Sequence, residues 1–454
     1  MAAVLPARAG RAHVSEQGFV LLLPTDVYIS AGAACVALTV LVLTLLPDRA
    51  VSGLFRPVAT LRWPLWTGAR LLTSCLSFAG FLALLWVGLA GPRDPLANPL
   101  TLVVWTVWWI GLVTLQGLFG NLWRWINPWT GPVALTRRLL NLRPALRLPA
   151  CLGQSFGILT FLAFVAILLA DPAPSDPARL AGYAGGYWLF TFAALLVFGP
   201  RWAARGDGIS MLMRHYAALG LFGRLRGRLA LGLTGWQALH RHPPRAGAAV
   251  FMLLMLGSGS FDGLNETYWW LDLIGINPLE FPGRSAVIAQ NLTGLILANA
   301  LLVAAYGLAV WMGVRLVSSG IGPGQAFCLF APSILPIALG YHIAHYLTSF
   351  LVDGQYALAA LNDPLARGDD LLGLGTFYVT TGFFNAPDSV RTIWLTQAGA
   401  VVAGHVLAVM MAHTIALRRF GDTRKAALSQ APLALFMVLY TLFGLWLLAS
   451  PRGA

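Results

Sequence analysis

The chain has 454 residues, 58% of them hydrophobic and only 10% charged, with a mean hydropathy of +0.72. No single soluble core buries that much apolar surface, so the composition excludes a water-soluble domain and reads as an all-α, polytopic transmembrane helix bundle. A net charge of +13 would suggest nucleic acid in a soluble protein, but here the basic residues lie in loops between apolar spans, which leaves membrane orientation as their role and excludes that partner.

Residues 1–13 carry basic side chains without an apolar run long enough for a secretory signal. A start further upstream would add a cleaved leader, and cleavage before His13 would give an amine and an imidazole able to chelate a metal. Ten apolar spans follow, at about 27–46, 71–91, 100–119, 150–170, 180–199, 246–260, 287–314, 326–352, 393–416 and 429–449. The sixth is the shortest. The loops at 47–69 (with Arg70 at its edge), 120–149, 200–245 and 417–428, together with Arg315, hold 22 of the 30 Lys and Arg residues. These alternate loops are expected to face the cytoplasm, with both termini outside. Of the 17 acidic residues only Asp48, Asp207 and Asp422 fall on the inner side, which agrees with that orientation.

The chain reads as one integral membrane domain, 1–454. Residues 131–148 and 209–240 mix Leu and Arg at helical spacing, which predicts helices in the inner headgroup layer beside anionic lipid. Trp123, Trp125 and Trp129 on one side, and Trp269 and Trp270 on the other, read as interfacial belts. Ile-Asn-Pro occurs at 126–128 and again at 276–278, on opposite expected sides, too short a match to establish an inverted repeat. Residues 353–392 read as a long outer loop. Cys35, Cys75, Cys151 and Cys328 lie in or beside apolar spans, without metal-ligand spacing or a disulfide framework.

Pro332 to Gln355 is apolar enough to span a bilayer yet carries His342 and His345. At about 100° per residue the two histidines lie about 60° apart, and Asp353 returns to within about 20° of His342, so one face is polar and must look into protein or water. Asp262 and Glu266 stand four residues apart at the outer end of the sixth span, a carboxylate pair able to ligate metal, take a proton or cap a helix. His405 sits near the middle of the ninth span, where an imidazole serves either a site or a helix-to-helix hydrogen bond.

Several segments resemble the bacterial integral membrane proteins named fenitrothion hydrolase. They are Asn121-Leu-Trp-Arg-Trp-Ile-Asn-Pro128, Ser260-Phe-Asp-Gly-Leu-Asn-Glu-Thr267, Pro336 to Tyr346 with Asp353-Gly-Gln355, Asp363-Pro-Leu-Ala-Arg-Gly368, Gly404-His405 and Tyr440 to Trp446. The resemblance runs from residue 120 to the end. It implies a hydrolase of lipophilic organophosphate esters in the bacterial cytoplasmic membrane. The position of His342 is often apolar in that pattern, which ranks it below His345 and His405.

Hydrolysis of a neutral phosphotriester needs an activated water and a positive centre. A divalent metal, zinc or copper, held by His345, His405, His342, Asp262, Glu266 and Asp353 would supply both, with His345, His405 and Glu266 as the catalytic set. The alternative is a transporter of a metal ion or proton-coupled solute that uses the same residues. A third reading is a haem b protein with His345 and His405 as axial ligands. Expected partners are membrane lipids, a lipophilic small molecule or metal ion, and a second membrane subunit.

Overall fold

The computed structural model describes residues 20, 23–62, 67–149, 152–317, 320–375 and 377–452; His13 and Cys151 lie outside the described residues. The protein is an all-α, multi-pass membrane protein. Among the described residues nine helices are long and apolar enough to cross a bilayer. In chain order the apolar helices are α1 (Thr25–Leu45), α2 (Thr67–Ala90), α3 (Pro99–Phe119), α4 (Ser155–Ala170) and α5 (Pro177–Phe198). They continue with α6 (Ala246–Leu264), α7 (Ile288–Leu316), α8 (Pro323–Asn362), α9 (Pro387–Phe420) and α10 (Thr423–Ala449).

The fourth and sixth of the expected spans differ from the sequence reading in opposite directions. The fourth, α4, has only 16 residues, about 24 Å at 1.5 Å per residue, against a hydrocarbon core of about 30 Å. The sixth, α6, reaches full length because it continues through Asp262. This residue ends the apolar pattern just after residue 260 but not the helix, since it is buried in protein. In α6 and α8, 78% of the most apolar window is buried, against 22% in α1 and 17% in the second span. The first two are therefore core helices, and α1 and α2 face mainly lipid. Ile296 and Leu301 of α7 are 63% and 69% exposed, a lipid face in the middle of that span.

The sequence reads as one domain, whereas the structure forms two compact units. One comprises Met1–Val51, Leu256–Val352 and Tyr378–Ala454, and the other Ser52–Met255 and Asp353–Phe377. In the first, α1, α7 and α9 pack on α10. Its α8 is interrupted: Pro323–Phe330 is α-helical, Ala331–Ile334 is 3-10, and the α-helix resumes at Leu335. Pro332 and Pro336 explain the break, because each lacks an amide proton for the preceding turn. Residues 331–340 are all buried, so this irregular backbone is kept from lipid. α8 also runs on to Asn362, which shortens the expected outer loop 353–392 to residues 363–386.

In the second unit α2 packs on α5 and on the helix Thr130–Leu139, and α4 packs on the helix Gly208–Ala217. The expected interfacial helix over 209–240 holds only as far as Ala217. Beyond it β2 (Phe222–Leu225) and β3 (Arg228–Leu231) form a hairpin, and β1 (Ala59–Leu61) adds antiparallel to β3 in register Ala59↔Leu231. Arg224, Arg226 and Arg228 recur at a period of two, which suits a strand, and Arg226 and Gly227 take the positive φ of a tight hairpin turn (49° and 81°).

The basic loops predict an inside location for this sheet. A membrane-impermeant thiol reagent added to intact cells should label Asp369→Cys and spare Arg228→Cys. The opposite pattern would overturn the orientation.

Candidate functional site

Two core helices bring ionisable groups together in the interior of the first unit. On α6, Ser260 precedes the last turn and Asp262 lies in it; on α8, Tyr341, His342, His345 and Tyr346 fall within two turns. His345 Nε2 lies 3.1 Å from Asp262 Oδ2, and the Tyr346 hydroxyl donates to the same carboxylate oxygen. Asp262 and His345 are each 7% exposed. The carboxylate thus has two donors in place of water, which is the condition for keeping it in a bundle interior.

The far side of the imidazole is buried and unpaired. His345 Nδ1 is buried without a hydrogen-bond partner among the described residues, and so is the Tyr341 hydroxyl. The two rings stack with centroids 5.8 Å apart. Gly263 makes room for both: Tyr341 Oη and His345 Nδ1 lie within 3.5 Å of where a Cβ on that residue would sit. One nitrogen held by a carboxylate and the other unoccupied is the arrangement of an imidazole that accepts or passes on a proton.

A second polar group stands two residues earlier on α6. Ser260 Oγ and Tyr440 Oη of α10 are 2.7 Å apart, and the Tyr440 and His405 rings lie 6.4 Å apart. His405 is 1% exposed; its Nδ1 donates to the Val401 carbonyl at 2.9 Å, and its Nε2 has no partner among the described residues. Its place is set by a glycine crossing of α8 and α9. A Cβ on Gly340 would lie 2.5 Å from the Ala400 carbonyl oxygen, and one on Gly404 would lie 2.6 Å from that of Pro336. The backbones meet there as small residues allow in membranes. Gln397 Nε2 adds a hydrogen bond of 2.8 Å to the Ala344 carbonyl, beside His345.

The structure thus joins Asp262 to His345 and puts the rest of the expected set elsewhere. Glu266 follows the end of α6, is half exposed and faces Arg452 at 3.8 Å. It is held there by a backbone pairing of Thr267 with Arg452 and by the Tyr268 amide donating to the Pro451 carbonyl. His342 packs its ring on Tyr346 at 5.0 Å. Asp353 lies eight residues beyond His345 on α8. Among the described residues no three His, Cys, Asp or Glu side chains gather where one metal ion could be held. Among the described residues Asp262 and His345 supply two donors to such a site, fewer than the three or four protein ligands of zinc.

Sequence reasoning missed the tyrosines. Tyr341 stands four residues before His345, on the same face, and Tyr346 follows it directly; that spacing was the available signal. Outside the site, His215 in the helix Gly208–Ala217 is buried, donates from Nδ1 to the Met211 carbonyl at 2.6 Å and stacks on Phe251. Burial, then the charge of Arg214, lowers its pKa to about 3. The unfolded chain binds that proton near pH 6.5 and the folded one only near 3, so stability falls as pH drops through this window by about 1.4 kcal/mol per unit. His215→Leu should therefore remove about 2 kcal/mol of the acid sensitivity between pH 6.5 and 5, read from the unfolding midpoint in detergent. An unchanged acid limb would show that His215 is not its source.

Compared with protein-family models, curated proteins and solved structures, the chain has no match.

Proposed function

We propose that the chain is a proton-coupled transporter of the bacterial cytoplasmic membrane, with Asp262 and His345 carrying the coupling proton. The buried Asp262–His345–Tyr346 cluster is the observation that carries this reading. Ionisable groups at membrane depth are costly and are kept there for function, above all for moving protons and ions. A carboxylate and an imidazole 3.1 Å apart exchange a proton without backbone movement. Tyr346 holds the carboxylate in place while the proton is absent. The interrupted α8 supports the same reading, since broken helices inside a bundle mark solute sites in transporters. The cargo is a metal ion or a lipophilic small molecule.

One observation favours hydrolysis as a second reading. The unpaired Nδ1 of His345, backed by Asp262 through Nε2, has the form of a general base that activates water without a metal. The resemblance to fenitrothion hydrolases points the same way.

The two readings separate in proteoliposomes that hold a trapped pH-sensitive dye and an imposed proton gradient, challenged in turn with zinc, copper and a nitrophenyl phosphotriester. Transport predicts that one of these accumulates against its gradient while protons move, with no phenolate formed. Hydrolysis predicts phenolate release that is indifferent to the gradient. Neither response would remove both readings.

A further inference from the structure

The second unit gathers positive charge at one point. Arg70 at the start of α2, Arg124 in the short helix Trp123–Ile126 and Arg224 on β2 come from three distant segments, and all three are half-buried. Arg70 Nε donates to the Arg124 carbonyl at 3.4 Å, and Arg224 Nη1 to the Gly227 carbonyl at 2.9 Å. Strand β2 is held against the Arg124 segment: the Phe222 carbonyl sits where a side chain on Gly120 would be, and Gln237 Nε2 ties Gly220 and Phe222 at 2.7 and 3.0 Å. Burial, then the charges of Arg70 and Arg224, lowers the pKa of Arg124, which places the three guanidinium groups within electrostatic reach of one another.

The segments that supply them are free of carboxylates. No Asp or Glu occurs in residues 49–93, 95–170 or 208–261. Holding three half-buried cations near one another costs free energy that an anion among them offsets, and a guanidinium fork matches the oxygens of a phosphate. The neighbourhood also suits an acyl chain. Leu72 and Leu76, on the lipid-facing helix α2 just beyond Arg70, are 60% and 62% exposed.

We propose that Arg70, Arg124 and Arg224 form a binding site for a phosphate group, presented by an acidic phospholipid of the inner leaflet. The site is separate from the Asp262–His345 pair and stands whatever the fate of the transport reading. The headgroup phosphate sits among the three guanidinium groups while the acyl chains run down α2. Lipid held in this way would fix β2 and the Trp123–Ile126 helix at the membrane surface.

The test uses the full-length protein in nanodiscs of phosphatidylcholine with graded phosphatidylglycerol. The readouts are the lipid retained in native mass spectrometry and the unfolding temperature. Wild type should retain phosphatidylglycerol and unfold at a higher temperature in its presence. The double variant Arg124→Gln/Arg224→Gln should retain it about 30-fold more weakly. Arg419→Gln and Arg424→Gln, both exposed and outside these segments, should leave retention unchanged. If the glutamine variant does not fold, Arg124→Lys/Arg224→Lys keeps the charge, loses the fork, and should retain phosphatidylglycerol more weakly than wild type. Inorganic phosphate at millimolar concentration distinguishes the sources. Stabilisation of wild type by phosphate equal to that by phosphatidylglycerol would keep the site but overturn the lipid as its ligand. Equal retention by wild type and a folded double variant, or equal loss in Arg419→Gln, would overturn the proposal.

Discussion

Asp262→Asn and His345→Ala are each expected to reduce proton-coupled movement in proteoliposomes by about 10²- to 10⁴-fold, the range that a positioned acid or base contributes to proton transfer. Both groups are needed, because Asp262 orients His345 through Nε2 and His345 offers its unpaired nitrogen on the other side. Tyr346→Phe should have a smaller effect, since it removes one donor to the carboxylate and leaves the imidazole contact intact. Glu266→Gln should have almost none, because Glu266 is half exposed and faces Arg452. The comparison also guards against a trivial cause. Removing one partner of a buried ion pair destabilises by about 3–5 kcal/mol, so each variant must first be shown to insert and to unfold cooperatively. If Asp262→Asn inserts normally and moves protons at the wild-type rate, the pair is a structural contact and the transport reading fails.

Gly404→Leu, and likewise Gly340→Leu, should abolish accumulation of the folded protein. At both positions the space for a Cβ is filled by a backbone carbonyl of the partner helix, which cannot change rotamer as a side chain can. The strain should therefore exceed the ~1–3 kcal/mol of ordinary overpacking. It would also push α9 away from α8 and move His405, the next residue along. Gly404→Ala is the graded control and should fold less stably than wild type. Gly399→Leu, at a glycine of α9 whose Cβ position is open, should be tolerated. Comparable yields of Gly404→Leu and Gly399→Leu would show that the crossing is looser than described.

Much of the bundle was legible because lipid imposes length and apolarity on each span independently of its neighbours. The exceptions have definite causes. α6 reads as short because Asp262 ends its apolar pattern just after residue 260, although burial in protein lets the helix continue through it. The β2–β3 hairpin lies in a stretch whose Leu and Arg mix reads as helical spacing, whereas the period of two in Arg224, Arg226 and Arg228 and the Arg226–Gly227 turn carry the contrary signal. In the site, His345 and Asp262 stand out in sequence because they are ionisable in apolar spans. The choice between Asp262 and Glu266 is made by the end of α6 at Leu264, which leaves Glu266 beyond the helix and within reach of Arg452. The tyrosines were passed over because an aromatic residue in a membrane span is usually packing. Here Tyr346 donates to the carboxylate, and the Tyr341 hydroxyl lies beside the unpaired nitrogen of His345.

The most direct test of the Asp262–His345 pair as a proton site is infrared difference spectroscopy on the purified protein through steps of pH. A carboxylic acid that gains and loses its proton gives a band apart from the amide absorptions. The wild-type protein should show a pH-dependent carboxyl band that vanishes in Asp262→Asn and shifts in His345→Ala and Tyr346→Phe, because each of these removes a donor to the same oxygen. An Asp262→Asn spectrum identical to wild type across the pH range would mean that Asp262 does not exchange a proton, and would contradict the proposed function at its centre.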